Sequence, residues 1–254
     1  EDGIRDHCVT GVQTCALPIS PGSFRADVLR MTDRRLLRTV VVRFTAGFAV
    51  ILAVLLGVAG TRAWAEAWIW TGLMGACMLR FAAWAFPNAP EVLARRMRTH
   101  EEDPRQRVIV ALGGLFAVGF FVLPALDRRF GWSEVPAWGV AIADVVVLGG
   151  YLLFTRVMQV NAWAGRTIRV DDGQHVIDTG PYGVVRHPMY VSSALIYLAT
   201  PLALGSVWGV IPAIAATGIL IPRILFEERT LDSDLPGYAA YRAKVRWRLV
   251  PGLW

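Results

Sequence analysis

Long apolar runs constrain the fold of this chain more than any other feature of its sequence. Four of them follow one another in the first part of the chain, over residues 44–60, 64–86, 108–126 and 137–158, and the first is preceded by an arginine-rich segment, residues 31–43, that begins the first predicted helix. A helix needs about 20 apolar residues to cross the hydrocarbon core of a bilayer. The chain is also only 18% charged, whereas soluble domains are about 25% charged. We therefore predict an all-α protein with a polytopic transmembrane fold.

A further apolar stretch, residues 190–226, is interrupted by Pro201, by Gly205 and by Pro212. Proline and glycine at such spacing favour a turn over one continuous helix. We predict two shorter helices that fold as a hairpin across the membrane, which brings the total to about five or six spans. The polar tail after residue 226 is expected to be partly helical.

Polar segments separate these runs. Pro87 and Pro90 are expected to end the second span, because proline lacks the N–H that a helix interior needs. Residues 91–107 predict a short surface helix followed by a turn at Pro104. Residues 161–189 form a long polar loop, and the alternation of its side chains allows a small β-hairpin.

The chain divides into three regions by composition. Residues 1–30 show neither helical periodicity nor the basic start and apolar stretch of a signal peptide. They resemble translated adapter sequence, so we expect a non-native or disordered leader outside the fold. Residues 31–160 carry the N-terminal transmembrane helices, and residues 161–254 form a C-terminal region that holds the polar motifs.

Arginine sets the charge of the chain and its predicted orientation. The net charge is +6, and Lys244 is the only lysine. With an even number of spans, both termini and the two long polar segments lie on one side, which carries most of the arginines. The positive-inside rule places that side in the cytoplasm. We predict a bacterial inner-membrane protein that contacts membrane lipids and binds no nucleic acid. The three cysteines have no metal-site spacing, so no metal is expected.

Two polar clusters carry the candidate chemistry. The first, residues 179–192, reads TGPYGVVRHPMYVS, and the second, residues 226–229, reads FEER. Pro188 suits the first turn of a helix, whose free N–H groups attract an anion. The predicted hairpin returns the second cluster to the height of the first, so Glu227 and Glu228 approach Arg186 and His187. Such a site would suit a zwitterion with a further positive centre. The alternative is a structural salt bridge between Arg186 and Glu228.

The motifs GPYGVVRHPMY, FEERTL, GYAAYRAKV and the closing PGLW occur in this order. Together they resemble the isoprenylcysteine carboxyl methyltransferase (ICMT) family and related phospholipid methyltransferases, which are integral membrane methyltransferases. The resemblance covers residues 161–254. It implies S-adenosylmethionine as the cofactor, in a cytoplasm-facing pocket formed by the C-terminal region. It also implies a lipophilic acceptor or lipid whose tail remains in the bilayer, with a carboxylate as the favoured methyl acceptor and an amine as the alternative.

The resemblance also implies roles for individual residues. Two are expected to be catalytic, and these are Arg186 and Glu228. Six are expected to bind the cofactor, and these are Tyr182, His187, Pro188, Tyr190, Glu227 and Glu228. Three are expected to contact the substrate, and these are Arg186, Tyr241 and Arg246. The sequence departs from the family pattern at Ser192, where many relatives have glycine.

Two other functions fit parts of the pattern. Sterol reductases share a similar RHPxY stretch and use a reduced nicotinamide cofactor, NADPH. A non-enzymatic membrane scaffold or transporter would need neither cofactor. The adjacent pair Glu227 and Glu228, followed by Arg229, favours the methyltransferase.

Overall fold

The computed structural model describes residues 21–97, 104–165, 167, 168, 170, 171 and 173–254, with side chains from residue 35 onward. In this part of the chain every regular element is helical, which confirms the predicted all-α class. The α-helices in chain order are α1 (Pro21–Ala59), α2 (Ala65–Asn88), α3 (Pro90–Met97), α4 (Pro104–Phe130), α5 (Ala137–Val160), α6 (Pro188–Ala203), α7 (Val210–Gly218), α8 (Leu220–Asp234) and α9 (Tyr238–Lys244). A 3₁₀ turn, Gly180–Gly183, precedes α6.

Five helical segments are long and apolar enough to cross a membrane. They are Arg35–Ala59, Ala65–Asn88, Pro104–Phe130, Ala137–Val160 and Val210–Asp234. Helix α6 is also apolar but has 16 residues. At 1.5 Å per residue it is about 24 Å long, somewhat less than the ~30 Å hydrocarbon core. These elements confirm the predicted polytopic membrane protein of five to six spans.

The first helix begins earlier than predicted. Helix α1 starts at Pro21, ten residues ahead of the expected start at residue 31. Residues 1–20 lie outside the described residues, and the leader predicted there stays a prediction.

Prolines mark helix ends less sharply than the sequence suggested. Pro87 lies inside the last turn of α2, which continues to Asn88, because one missing N–H near an end costs only one hydrogen bond. The short surface helix after it is confirmed as α3. Pro104 is the first residue of helix α4, a position that needs no N–H. The rest of the predicted connector, residues 98–103, lies outside the described residues.

The predicted β-hairpin in the loop after α5 is wrong for the residues that the structure describes there. They form irregular backbone with a turn in which the Gln174 N–H donates to the Asp171 carbonyl at 3.0 Å. Gly173 takes a left-handed φ of 76° in this turn. The alternation of side chains was too short to specify a strand pair against the turn that glycine favours.

The predicted helical hairpin forms, with its turn at Gly205, whose φ is 79°. Its second arm is interrupted between α7 and α8 at Ile219. Pro222 explains the interruption, because it has no N–H for the carbonyl of Gly218. Helix α8 then continues past residue 226 to Asp234, so the two glutamates lie within a helix and not in the tail.

Helix α6 packs closely along α5. At Gly150 of α5, an added Cβ would lie 2.9 Å from a side-chain atom of Ile196 and 3.2 Å from the Ser192 carbonyl oxygen. This glycine therefore sets the approach of the two helices, and it fixes the start of α6, where the RHP motif lies. Ser192, which departs from the family pattern, is buried at this contact.

The C-terminal segment folds back onto the start of α6. The backbone N–H of Arg186 donates to the Trp247 carbonyl at 2.8 Å, and that of His187 donates to the Arg248 carbonyl at 3.0 Å. The carbonyl of Trp254 accepts from the N–H of Arg248 at 2.9 Å. The end of the chain is thereby held beside both polar clusters.

Candidate active site

The two polar clusters meet in a buried ion cluster, which we define as Arg186, His187, Glu228 and Arg248. One oxygen of Glu228, Oε1, accepts from Arg186 Nε at 2.7 Å and lies 3.2 Å from His187 Nε2. The other oxygen, Oε2, accepts from Arg248 Nε at 2.9 Å. The Glu228 side chain is only 5% exposed. The predicted meeting of the RHP and EE motifs is thus present, with Glu228 as the shared acceptor.

Arg186 is bound to more than the carboxylate. Its Nη1 atom donates to the carbonyls of Val245 and Arg246, at 2.9 Å and 2.7 Å. It therefore joins helix α8, the start of α6 and the C-terminal segment. This geometry is that of the structural salt bridge between Arg186 and Glu228, which the sequence left as an alternative. Arg186 also lines the adjoining cleft. Its catalytic and substrate roles stay predictions.

Glu227 has a different environment from its neighbour. Consecutive residues of a helix point about 100° apart, so only one of the two glutamates can face the ion cluster. The Oε2 atom of Glu227 accepts a hydrogen bond from the Tyr190 hydroxyl at 2.5 Å. That hydroxyl also accepts from Arg223 Nε at 3.2 Å. Tyr190 thus joins an acidic and a basic side chain from one face of α8.

A polar cleft lies beside these residues, between the loop after α5, the start of α6, α8 and α9. Its empty space, the open mouth included, is about 840 Å³. Six of the predicted site residues line it, and these are Tyr182, Arg186, His187, Tyr190, Glu227 and Tyr241. The cleft is therefore the place where the predicted cofactor residues converge.

Three predicted residues do not line the cleft. Glu228 lies in the ion cluster behind it, and Pro188 begins α6 with its side chain buried. Arg246 is exposed, and its contact to the site is the carbonyl that Arg186 binds. Any contact of these three with a ligand stays a prediction.

Buried tyrosines line the side of the cleft formed by α9. The Tyr241 hydroxyl donates to the Tyr182 carbonyl at 2.8 Å. Burial raises the pKa of the Tyr182 and Tyr241 phenols above their ordinary value. Both side chains are consequently neutral near pH 7.

A second cavity lies next to the cleft, among α1 to α8. Its empty space, mouth included, is about 1600 Å³, and apolar side chains such as Phe81, Ile109 and Phe154 form most of its wall. Residues from the loop after α5, from α6 and from α8 line both spaces, and these are Gly165, Thr167, Met189, Tyr190 and Arg223. A molecule in the apolar cavity would thus adjoin a molecule in the polar cleft at Tyr190.

Two arginines lie where the apolar cavity adjoins the cleft. Arg223 reaches Tyr190 as described, and its Nη1 lies 3.4 Å from Gln106 Oε1. Arg96 donates from Nη1 to the Gly165 carbonyl at 3.2 Å, and its guanidinium carbon lies 5.0 Å from the centre of the Phe154 ring. Both line the cavity. Sequence reasoning missed both arginines, although the i, i+4 spacing of Arg223 and Glu227 pointed to one shared helix face.

No metal centre occurs among the residues described by the structure, since no three His, Cys, Asp or Glu side chains group closely enough to hold an ion.

Comparison with known proteins finds a family match over the region that holds most of this site. Residues 138–234 match the model of the phospholipid methyltransferase family. Among solved structures, the eukaryotic intramembrane Ras methyltransferase ICMT, an isoprenylcysteine carboxyl methyltransferase, is 18% identical and has a TM-score of 0.49. That alignment covers 82% of this chain and 75% of the other. No curated protein matches the chain. The match over residues 138–234 of this integral membrane protein confirms the resemblance to membrane methyltransferases that the sequence predicted.

Proposed function

We propose that the protein transfers a methyl group from S-adenosylmethionine to the carboxylate of a lipophilic acid. The observation that carries this proposal is the junction at Tyr190, where a polar cleft and an apolar cavity share one wall. A polar cofactor and an apolar acceptor need two such spaces, and their reacting groups need to meet.

The side chains of the cleft suit this cofactor. Its methyl-bearing sulfur and its amino group are positively charged, and Glu227 is a carboxylate on the cleft wall. Trp163 adds an aromatic surface of the kind that attracts cations and stacks on flat rings. In this proposal Tyr182, His187, Tyr190 and Glu227 contact the cofactor.

The ion cluster positions these contacts. Glu228 holds His187 at the N-terminus of α6 and holds Arg186 against the C-terminal segment. We assign Arg186 and Glu228 to this positioning role, because both side chains bond to other groups of the protein. Pro188 contributes by fixing the first turn of α6.

The acceptor tail occupies the apolar cavity in this proposal, and its carboxylate faces Arg96 and Arg223. Guanidinium groups bind carboxylates well because their N–H groups match the two oxygens. Both arginines line the cavity. Arg223 also lines the cleft, and Arg96 bonds to Gly165, which lines both spaces. Tyr241 and Arg246, the other predicted substrate contacts, lie on α9 and after it, and neither lines the apolar cavity.

The methyl transfer needs few further protein groups. When bound, S-adenosylmethionine supplies an activated methyl group, which a carboxylate oxygen takes by in-line displacement while the C–S bond breaks and its electron pair stays on sulfur. A carboxylate is ionised near pH 7, so the protein need not remove a proton. Its work is to align the two reactants at Tyr190 and to exclude water.

The arginine distribution supports a cytoplasmic opening of the cleft. The arginine-rich segments adjoin the cleft side of the chain, and the positive-inside rule assigns such segments to the cytoplasm. Soluble cofactor is found there. We accordingly propose an inner-membrane enzyme whose acceptor enters from the bilayer.

Methyl transfer to matched acceptors tests the proposal. The purified chain in lipid nanodiscs would receive S-adenosylmethionine with a labelled methyl group and one of two amphiphiles that share a tail, an acid or its amine. We expect labelled methyl ester, recognised by the release of volatile methanol in base. Labelled amine without ester would contradict the carboxylate, and transfer to neither would leave the acceptor class unsupported.

A further inference from the structure

The hydroxyl of Tyr238 stands out among the groups around the cleft. Tyr238 is the first residue of α9, lines the cleft and is 4% exposed. Its hydroxyl is buried, yet no described residue offers it a hydrogen-bond partner. Folded proteins leave few buried hydroxyls unpaired, because an unpaired hydroxyl has lost its hydrogen bonds to water without gaining others.

The neighbouring tyrosine shows that the fold can pair a hydroxyl at this position. Tyr241 follows three residues later on the same helix, and its ring centre lies 5.8 Å from that of Tyr238. Its hydroxyl donates to the Tyr182 carbonyl at 2.8 Å. Two adjacent buried tyrosines therefore differ in one respect, since one hydroxyl is used by the protein and the other is not.

The Tyr238 ring is held in place. Gly237 precedes it with a φ of 86°, a left-handed conformation that favours glycine and that fixes the entry into α9. The ring packs in an apolar cluster with Leu235, Tyr241 and Val245. The ring has little room to turn toward another partner within the protein.

Burial and the nearby carboxylates keep the Tyr238 phenol protonated, so its hydroxyl remains a hydrogen-bond donor. Burial raises the pKa of the Tyr238 phenol, and the carboxylates of Glu228 and Glu227 raise it further. The phenol is thus neutral at any physiological pH and retains its proton. A ligand in the cleft that carries an acceptor oxygen or nitrogen would satisfy it.

We propose that the Tyr238 hydroxyl donates a hydrogen bond to an acceptor atom of the cofactor and that Tyr238 is a cofactor-binding residue. The inference rests on the proposed function, because it takes the ligand of the cleft to be a nucleoside with an amino-acid side arm. Tyr238 lies beyond residues 138–234, so the family match does not include it.

Removal of the hydroxyl tests this inference. S-adenosylhomocysteine would be titrated into wild-type protein, Tyr238→Phe and Tyr241→Phe, and the melting temperature of each ligand-free protein would be measured. A lost hydrogen bond predicts an affinity for Tyr238→Phe that is about two- to tenfold lower. The ligand-free Tyr238→Phe protein should melt no lower than wild type, because its hydroxyl had no partner to lose. Tyr241→Phe should melt lower, because it leaves the Tyr182 carbonyl unpaired.

Two results would overturn the inference alone. One is wild-type affinity in Tyr238→Phe, and the other is a lower ligand-free melting temperature in that variant, which would reveal a partner within the protein. Failure of wild-type protein to bind S-adenosylhomocysteine would instead overturn the proposed function, and the inference with it.

Discussion

Replacing Glu228 with glutamine would remove the carboxylate that balances two arginines in the ion cluster. Arg186 and Glu228 are each buried to about 95% at the side chain, and Arg248 is 29% exposed. The variant keeps the shape of the side chain but leaves the guanidinium groups without their counter-charge. Because these donors join α6, α8 and the C-terminal segment, we expect the loss to be felt as lower stability of the whole region.

The expected size follows from the geometry. Breaking a buried ion pair by removing one partner costs about 3–5 kcal/mol. The three contacts of Glu228, at 2.7, 3.2 and 2.9 Å, put this site in that class. For a chain of this size each kcal/mol lowers the melting temperature by about 2–4 °C, so the fall should be about 6–20 °C.

Glu227→Gln is the matched control, since it makes the same chemical change at the next residue. Glu227 faces the cleft and accepts from the Tyr190 hydroxyl, which an amide oxygen can replace. Its melting temperature should therefore change little. Its affinity for S-adenosylhomocysteine should fall about 10- to 100-fold, because a hydrogen bond to a charged group contributes about 1.5–3 kcal/mol.

Thermal unfolding in detergent and calorimetric titration would be run on both variants. The reasoning requires the larger loss of stability in Glu228→Gln and the larger loss of affinity per folded molecule in Glu227→Gln. Equal melting temperatures for Glu228→Gln and wild type would refute the structural role of the ion cluster. A reversed order of affinities would show that the two glutamates have been assigned to the wrong sides of α8.

Three further changes test the acceptor side. Gly114 lines the apolar cavity and has open space around its Cβ position. Gly114→Leu should therefore raise the KM for the acceptor several-fold and leave the cofactor affinity unchanged. Gly149 is equally open but does not line the cavity, so Gly149→Leu should alter neither quantity. Arg223→Gln should raise the KM for an acid about 10-fold or more by removing a charged contact, and Arg229→Gln, an exposed arginine of the same helix, should not. Tyr190→Phe breaks the link between the acidic and basic sides of the junction, so kcat should fall while the melting temperature falls by only a few degrees; an unchanged kcat would contradict the junction.

Hydrophobic runs predicted the fold well because a span is specified by its own residues. The four early spans and the helical hairpin occupy the stretches that their composition indicated. Helix ends were harder to predict, since the effect of a proline depends on whether it falls in the interior or in the last turn. Pro87 and Pro222 illustrate the difference, because one is absorbed near a helix end and the other accompanies a break.

The site was predicted in part. The meeting of Arg186 and His187 with Glu228 follows from two motifs at the ends of a hairpin. The division of labour between Glu227 and Glu228 depends on the rotation of α8, which no local pattern reveals. Arg248 enters the ion cluster only because the C-terminal segment folds back, and that return rests on backbone hydrogen bonds between distant residues.

Calorimetric titration of the purified chain with S-adenosylhomocysteine, and separately with NADPH, tests the central claim most directly. The sequence left a nicotinamide-dependent reductase as an alternative, and both reactions would use the RHPxY region. A methyltransferase with its cofactor in the cleft should bind one S-adenosylhomocysteine per chain, show no binding of NADPH, and lose most of its affinity in Glu227→Gln. Binding of NADPH alone would contradict the proposed reaction and the assignment of Glu227 to a positively charged cofactor.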